Sequence, residues 1–510
     1  MTFQANRYNS PSSSFSEIRG RSTGQNLPGW LQEFMILNSP SSHGYHNQWS
    51  QERSFMNSFR IHDGGNYVTF TKRYPSDSHG FGPSMSSNEN RSYGDSCQPS
   101  SSRQYELRRD DGYNHSILRP FGKPFTLDDC NCYHFRNMND PYYEKSLGFG
   151  DKIDMSRFIN IHSGYPLRDH NGETYNLGAS FMSGNKYYFM KHQGNTLSQD
   201  VSIIASIPCR FPNHIGYFHT YGMTDNYLIF CEQPWAFDVN KMRNSSSQDT
   251  YYRDCLDVMA GEKNHFYIVD KRTGRRLDIT YATDKPYYFF NFINCYEYSN
   301  HIIIDIMSYD GSNVFESLRM NKFKSRFGCC GGSSDTQILR FSLPIQGHQG
   351  GIEMDCMQSH ETAVYRNGST MTICPQYPIR GRGFEYPIIN PRFNFRKYKF
   401  TYFVDRMSTG SESSYGNSIT KINIDSGDTI SWKTGNDHCY PHEIVFIPNP
   451  NGMSEDDGVL FSCVSNPKDQ RGSYLVFINP RNMEEMSRVY FDEPIPFGTH
   501  SSYTQHYKSQ

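Results

Sequence analysis

Residues 217–234, YFHTYGMTDNYLIFCEQP, contain the pattern that decides the fold of this chain. Residues 226–231 form an apolar run that predicts a strand, and Gly222 and Asp225 predict a tight turn before it. His219 stands just before that turn. A single histidine among aromatic residues is more often a packed core residue than a metal ligand. This stretch alone therefore predicts a β-strand and leaves the role of the histidine open.

Other histidines stand in comparable places, at predicted strand ends beside turns. His162 lies in FINIHSGYP, and His500 lies in IPFGTHSSY. Rigid strand ends can aim imidazoles from distant parts of a chain at one point, which is what a metal site built from separated histidines needs. The positions of these histidines therefore raise a metal site as a hypothesis.

Short strand patterns separated by turn signals continue along the rest of the chain. Examples are KYYFMK, NHFYIVDK, HIIIDIM, TQILRFSL, KFTYFVD, GVLFSCV and SYLVFI. Residues 418–433 read as a hairpin, because two alternating runs meet at a turn from Asp425 to Gly427. Many short strands with regular turns predict an all-β sandwich, barrel or propeller, and the pattern does not choose among them.

Composition excludes several classes of protein. The chain has 510 residues and a formal net charge of −2, so a basic nucleic-acid-binding surface is not predicted. Aromatic residues make up 15% of the chain, which suits strands and flat or apolar ligands. No run approaches the roughly 20 apolar residues that span a bilayer. The first residues also lack the apolar core of a signal peptide. We therefore expect a cytoplasmic protein without nucleic-acid partners.

The domain organisation predicted from composition is simple. Residues 1–26 are polar and rich in serine, which predicts a disordered N-terminal tail. Residues 27–510 carry the strand patterns and are predicted to form one β domain.

Several motifs resemble, in chain order, those of the carotenoid cleavage oxygenases, the family of the animal β-carotene oxygenases and the retinal pigment epithelium isomerohydrolase. They are LPGWLQEFMILNSP, HTYGMTDNYLIFCEQP, FFNFINCYE, RGFEYPIIN, PHEIVFIPNPNGMSEDDGVLFSCV and IPFGTH. Asp95 and Cys97, with Arg103 following, resemble a segment typical of animal members. Motifs in one order over nearly the whole chain are much more specific than any one of them.

The resemblance implies a fold and an activity. The implied fold is a seven-bladed β-propeller with loops and short helices capping one face. The implied activity is that of a dioxygenase of retinal and carotenoid metabolism. It uses Fe(II) and O₂ to cleave a conjugated double bond of an apolar polyene into two carbonyls. A peripheral contact with intracellular membranes for substrate uptake is implied as well.

Four histidines hold the iron in this family, and this chain matches two of them. The resemblance places His219 at the second ligand position and His500 at the fourth. Tyr165 falls on the first position when no gap is allowed, and a gap of three residues would place His162 there instead. Asn291, in FFNFINCYE, holds the third position. An amide oxygen is a poorer ligand than imidazole for Fe(II).

Glutamates in this family orient the ligand histidines by accepting their Nδ1–H. Glu385 and Glu443 match two of three such positions, and Cys132 falls on the third. The resemblance thus leaves two hypotheses: an Fe(II)-dependent carotenoid or apocarotenoid dioxygenase, or a catalytically impaired propeller. The second would bind a carotenoid, a retinoid or a protein partner without turnover.

Overall fold

The structure is a computed structural model, and it describes part of the chain. The described residues are 17–24, 27–31, 33–40, 54–62, 65–73, 116–118, 125–127, 132–135, 152–154, 158–192, 201–244, 255–312, 336–345, 353–354, 363–367, 370–405, 416–436, 438–466, 469, 472–493, 495 and 499–505.

The described residues form eight sheets. The first sheet contains Ile18–Arg19, Tyr67–Arg73, Ser54–His62, Glu33–Pro40 and Thr499–Gln505, and the second contains Ser116–Leu118, Phe125–Leu127, Cys132–Phe135 and Lys152–Asp154. The third sheet contains Ile161–His162, Leu167–Arg168, Thr174–Ser180, Lys186–His192 and Val201–Pro208. The fourth sheet contains His214–Gly216, Trp235–Asp238 and Leu256–Val258. The fifth sheet contains Gly222–Met223, Tyr227–Glu232, His265–Asp270, Thr280–Thr283, Thr370–Ile373, Ala363–Asn367 and Glu353–Met354. The sixth sheet contains Tyr288–Tyr298, His301–Tyr309, Thr336–Pro344 and Gln376–Arg382, and the seventh contains Phe384–Ile388, Phe400–Asp405, Ser418–Asn423 and Thr429–Lys433. The eighth sheet contains Arg21–Gly24, Glu485–Tyr490, Tyr474–Ile478, Gly458–Ser465, Tyr440–Pro441 and Val445–Pro448.

Helical segments are short by comparison. The described part contains a six-residue α-helix, Val239–Asn244, and a 3₁₀ turn, Pro391–Phe393. The all-β prediction is therefore correct for the described residues.

Alternate residues of the inner strands face two different hydrophobic cores. In Tyr227–Glu232, Leu228 and Phe230 pack into one core, whereas Ile229 and Cys231 pack into the next. A strand buried on both faces reads as a continuous apolar run, which is why residues 226–231 show no polar alternation. The predicted strand and the observed one differ by a single residue at each end.

Successive sheets are stacked face to face through these cores. The strand His301–Tyr309 shares Ile302 and Ile304 with the core beneath Tyr227–Glu232, and gives Ile303 and Met307 to the following core. The same relation continues through two further cores up to the sheet that contains Tyr67–Arg73. Each of the inner sheets along this series therefore lies between two neighbouring cores, which is how the blades of a propeller pack.

Strands from opposite ends of the described chain pair in one sheet. Glu33–Pro40 lies between Ser54–His62 and Thr499–Gln505, and it is antiparallel to both. Arg21–Gly24 likewise pairs with Glu485–Tyr490. These pairings bring the strand that carries His500 into the same sheet as the beginning of the fold.

The predicted N-terminal tail needs a correction, because ordered structure already begins within it. Ile18–Arg19 pairs with Tyr67–Arg73. Gly20 connects the two short strands of this segment, and a Cβ atom there would lie 2.3 Å from a side-chain carbon of Val489. The segment is polar, but its backbone completes two sheets, and composition does not report such pairing. Residues 1–16 of the predicted tail lie outside the described residues.

Candidate metal centre

His219 lies just before the short strand Gly222–Met223 and is half-buried. Desolvation by the surrounding protein lowers its pKa to about 4. The imidazole is therefore neutral at pH 7. Neutral imidazole is the form that binds a metal ion.

Tyr165 lies directly against this histidine. The centroids of the Tyr165 and His219 rings are 4.8 Å apart, and the ring planes meet edge to face at 70°. The Ser163 hydroxyl donates to the main-chain oxygen of His219 at 2.6 Å and accepts from the main-chain nitrogen of Tyr165 at 3.1 Å. His162 is buried, with its Nδ1 atom 3.1 Å from the Ser163 carbonyl oxygen. The structure thus places Tyr165 in ring contact with His219.

Asn291 lies in an irregular part of the strand Tyr288–Tyr298. The pairing register shifts on both sides of it, and residues 290–293 are all half-buried, whereas Phe289 before them and residues 294–296 after them are buried. Thr220 bonds to both neighbours of Asn291. Its hydroxyl donates to the Phe290 carbonyl at 2.9 Å and accepts from the Phe292 N–H at 2.8 Å. These two bonds hold the main chain on both sides of Asn291 against Thr220, the residue that follows His219.

Glu385 is buried and connects to the same place through aromatic residues. The Tyr309 hydroxyl lies 3.1 and 3.0 Å from the two carboxylate oxygens of Glu385 and donates to them. The Tyr309 ring is 5.1 Å from Phe290, whose ring is 6.1 Å from that of His219. The buried Glu385 carboxylate therefore has a phenol as hydrogen-bond donor.

The remaining predicted residues are described less completely. Glu443 is half-buried and follows the buried His442. His500 lies in the strand Thr499–Gln505 and Cys132 in Cys132–Phe135, but both side chains lie outside the described part. Asp95, Cys97 and Arg103 also lie outside it. Convergence of His500 on His219 therefore stays a prediction.

The donors at this place are of mixed type. His219 offers an imidazole nitrogen, Tyr165 carries a phenol oxygen, and Asn291 carries an amide oxygen. First-row divalent metals accept all three kinds of donor, but imidazole is the better ligand for Fe(II). By the chemistry of their donor atoms, these residues suit a metal such as Fe(II), although less well than four imidazoles would.

Three residues important to this arrangement were missed by sequence reasoning: Ser163, Thr220 and Tyr309. Their hydroxyls act on residues far away in the chain, and no spacing rule reveals such partners. The only available signal was that Ser163 and Thr220 lie within two residues of predicted ligand positions.

Another group of potential ligands lies on a separate sheet. His214, Asp238 and Asp257 have donor atoms within 4.8 Å of one another. Lys241 lies 2.7 Å from Asp257, and Asp238 accepts from the first N–H groups of the helix Val239–Asn244. These contacts already satisfy the carboxylates, so we assign the group to a surface ion-pair network.

Within the described ranges, none of the helices has the length and apolar character required to cross a membrane.

Comparison with known proteins gives consistent matches along the chain. Residues 26–505 match the family described as retinal pigment epithelial membrane protein. The beta,beta-carotene 15,15'-dioxygenase of Gallus gallus is 24% identical over 519 residues, covering 96% of this chain and 94% of that protein.

Solved structures show the same fold at lower identity. The lignostilbene dioxygenase of Pseudomonas brassicacearum matches with a TM-score of 0.71 at 14% identity, covering 99% of both chains. The cobalt-substituted Synechocystis apocarotenoid oxygenase matches with a TM-score of 0.68 at 16% identity, covering 97% of both. These similarities confirm the predicted all-β propeller.

Proposed function

Since this chain belongs to the carotenoid oxygenase family described as retinal pigment epithelial membrane protein, we propose that it is an Fe(II)-dependent dioxygenase. The proposed substrate is a carotenoid or apocarotenoid, and the products are two carbonyl compounds. One O₂ and one carbon–carbon double bond give two C=O groups, so the reaction needs no further oxidant. The observation that carries the proposal is the position of His219, neutral and half-buried where the segments of Tyr165 and Asn291 meet.

The chain's own residues have separate tasks in this proposal. His219, and by sequence His500, would hold the metal through imidazole nitrogens. The chemistry that Fe(II) supplies when bound is activation of O₂. Phe290 contributes an apolar surface beside His219, and its ring contacts Tyr217 at 5.9 Å and Trp235 at 5.8 Å. Such an aromatic wall suits a flat polyene and keeps water away from it.

A second candidate function is favoured by Tyr165 and Asn291. With these residues in place of two imidazoles, the site has fewer nitrogen donors than the family pattern. The alternative protein binds a carotenoid, a retinoid or a protein partner without turnover. The two functions differ in a property that is simple to measure, because only the enzyme requires stoichiometric iron and O₂ consumption.

The test uses the full chain, purified anaerobically with added Fe(II). Iron per chain is measured by elemental analysis, and β-carotene and shorter apocarotenoids are offered with and without O₂. The enzyme should yield paired aldehyde or ketone products, identified by mass, only when O₂ is present. His219→Ala should lose both iron and product. Binding of the polyene without iron or product would support the alternative function.

We also propose a cytoplasmic location with peripheral membrane contact for substrate uptake. Cell fractionation tests this directly. The protein should be found in the soluble fraction and on membranes from which high salt or carbonate releases it. Retention on membranes after carbonate treatment would contradict the proposal.

A further inference from the structure

Two hydroxyl groups connect the three segments that carry positions 165, 219 and 291. Ser163 is 1% exposed, and its hydroxyl bonds both to the His219 carbonyl and to the Tyr165 N–H. It thereby fixes the main chain at position 165 relative to the main chain at position 219, although the two positions lie in separate connections between strands.

Thr220 makes the corresponding connection to the third segment. Its hydroxyl donates to Phe290 and accepts from Phe292, and its own N–H is 3.3 Å from the Phe290 carbonyl. Register shifts lie on both sides of Asn291 and Phe292, so regular strand pairing is short here and holds only these two residues between the shifts. The Thr220 hydroxyl therefore adds hydrogen bonds to this backbone at the point where the strand ladder is interrupted.

Tyr221 adds a further connection from the same stretch. Its hydroxyl donates to the Tyr175 carbonyl at 2.6 Å and accepts from the Leu167 N–H at 3.0 Å. Leu167 lies two residues after Tyr165 in the chain. The segment from His219 to Tyr221 is thus bonded on one side to the segment of Tyr165 and on the other to that of Asn291.

We propose that the hydroxyls of Ser163 and Thr220 are positioning groups that set the spacing of positions 165, 219 and 291, and so the strength of metal binding. The part of this inference that concerns metal binding rests on the proposed function. A metal site must hold its donors within about 0.5 Å of the productive geometry, and groups outside the ligand shell supply that order. Loss of such groups typically costs about 10- to 100-fold in metal affinity.

The first test compares Thr220→Val and Ser163→Ala with a matched control. Thr283→Val is the control, because the fully buried Thr283 hydroxyl also donates to a carbonyl, of Lys285, and accepts from an N–H, of Asn264. Co(II) alone is titrated anaerobically and followed by its visible absorption. Thr220→Val and Ser163→Ala should each bind Co(II) about 10-fold or more weakly than the parent. Thr283→Val and Thr220→Ser should bind it as the parent does.

The second test needs no metal and therefore stands apart from the proposed function. Because the Tyr165 and His219 rings are 4.8 Å apart in an edge-to-face arrangement, the His219 ring proton resonances should be sensitive to the position of the Tyr165 ring. They are observed in metal-free protein with labelled histidine and assigned with His219→Asn. Thr220→Val and Ser163→Ala should move the His219 resonance, whereas Thr283→Val should not. An unchanged His219 resonance in both variants overturns the proposal, and so does an equal loss of Co(II) affinity in Thr283→Val. A parent protein that binds no Co(II) counts against the proposed function, and the resonance then decides the positioning role alone.

Discussion

Replacing Tyr309 by phenylalanine tests how the buried Glu385 carboxylate is stabilised. The change removes one hydroxyl that lies 3.1 and 3.0 Å from the two carboxylate oxygens. The ring that contacts Phe290 at 5.1 Å remains in place, so little packing is lost. A hydrogen bond to a charged group contributes about 1.5–3 kcal/mol, and Glu385 is only 4% exposed, so water does not replace the phenol easily. We expect the free energy of unfolding to fall by about 2 kcal/mol.

The assay is urea unfolding at pH 7, followed by intrinsic fluorescence, with reversibility checked by dilution. Tyr402→Phe is the matched control, because Tyr402 is also fully buried and its hydroxyl has no hydrogen-bond partner among the described residues. Removing that hydroxyl should be neutral or slightly stabilising. If both variants change the free energy of unfolding equally, the role assigned to Tyr309 is wrong.

Three further predictions concern the metal and the buried charges. Tyr165→His combined with Asn291→His should raise iron per chain above the parent value after anaerobic purification with Fe(II); full occupancy in both proteins would contradict our account of these positions. Burial lowers the pKa of His442 to about 3, below the ordinary 6.5. As the pH falls, the histidine is therefore protonated in the unfolded chain before it is protonated in the folded protein. Its contribution to stability is therefore complete above pH 6.5 and falls as the pH drops toward 3, by up to about 1.4 kcal/mol per pH unit. Equal urea midpoints of the parent protein at pH 7 and at pH 5 would contradict this predicted loss of stability. Asp305→Asn removes the carboxylate that now bonds the buried Arg340 at 2.7 and 2.8 Å and leaves the guanidinium facing the carboxylate of Asp425, 3.9 Å away. The substitution should lower the free energy of unfolding by about 3 kcal/mol, measured by thermal denaturation. A loss below about 1 kcal/mol would show that the pair matters little.

The fold could be predicted because its main signal is local. Each inner strand is a short apolar run bounded by turn residues, and Gly427, with a φ of +77°, supplies the positive φ at the turn of the predicted hairpin. The start of the fold was placed too late, since Ile18–Arg19 and Arg21–Gly24 are very short, mostly polar strands that depend on distant partners. Local composition contains no information about those partners.

The sequence predicted candidate site residues only at positions that belong to a recognised motif. His219, Tyr165 and Asn291 were singled out from ordered motifs, and the structure brings their segments together. The hydroxyl bridges of Ser163 and the phenol that reaches Glu385 depend on how sheets stack, which no spacing along the chain encodes. Sequence thus identified the candidate donors, whereas the groups that hold the donors in place required coordinates.

The pairing of Glu33–Pro40 with Thr499–Gln505 has a consequence for how the protein is made. A growing polypeptide can build the middle sheets as soon as their strands have been synthesised, because most of those strands pair with near neighbours in the chain. The sheet that contains both ends must wait until residue 505 has emerged. Closing so long a stretch of chain is slow, since it needs contacts between residues far apart in sequence. If His500 contributes to the site, the donor set cannot be complete before the strand Thr499–Gln505 has been synthesised and has paired with Glu33–Pro40.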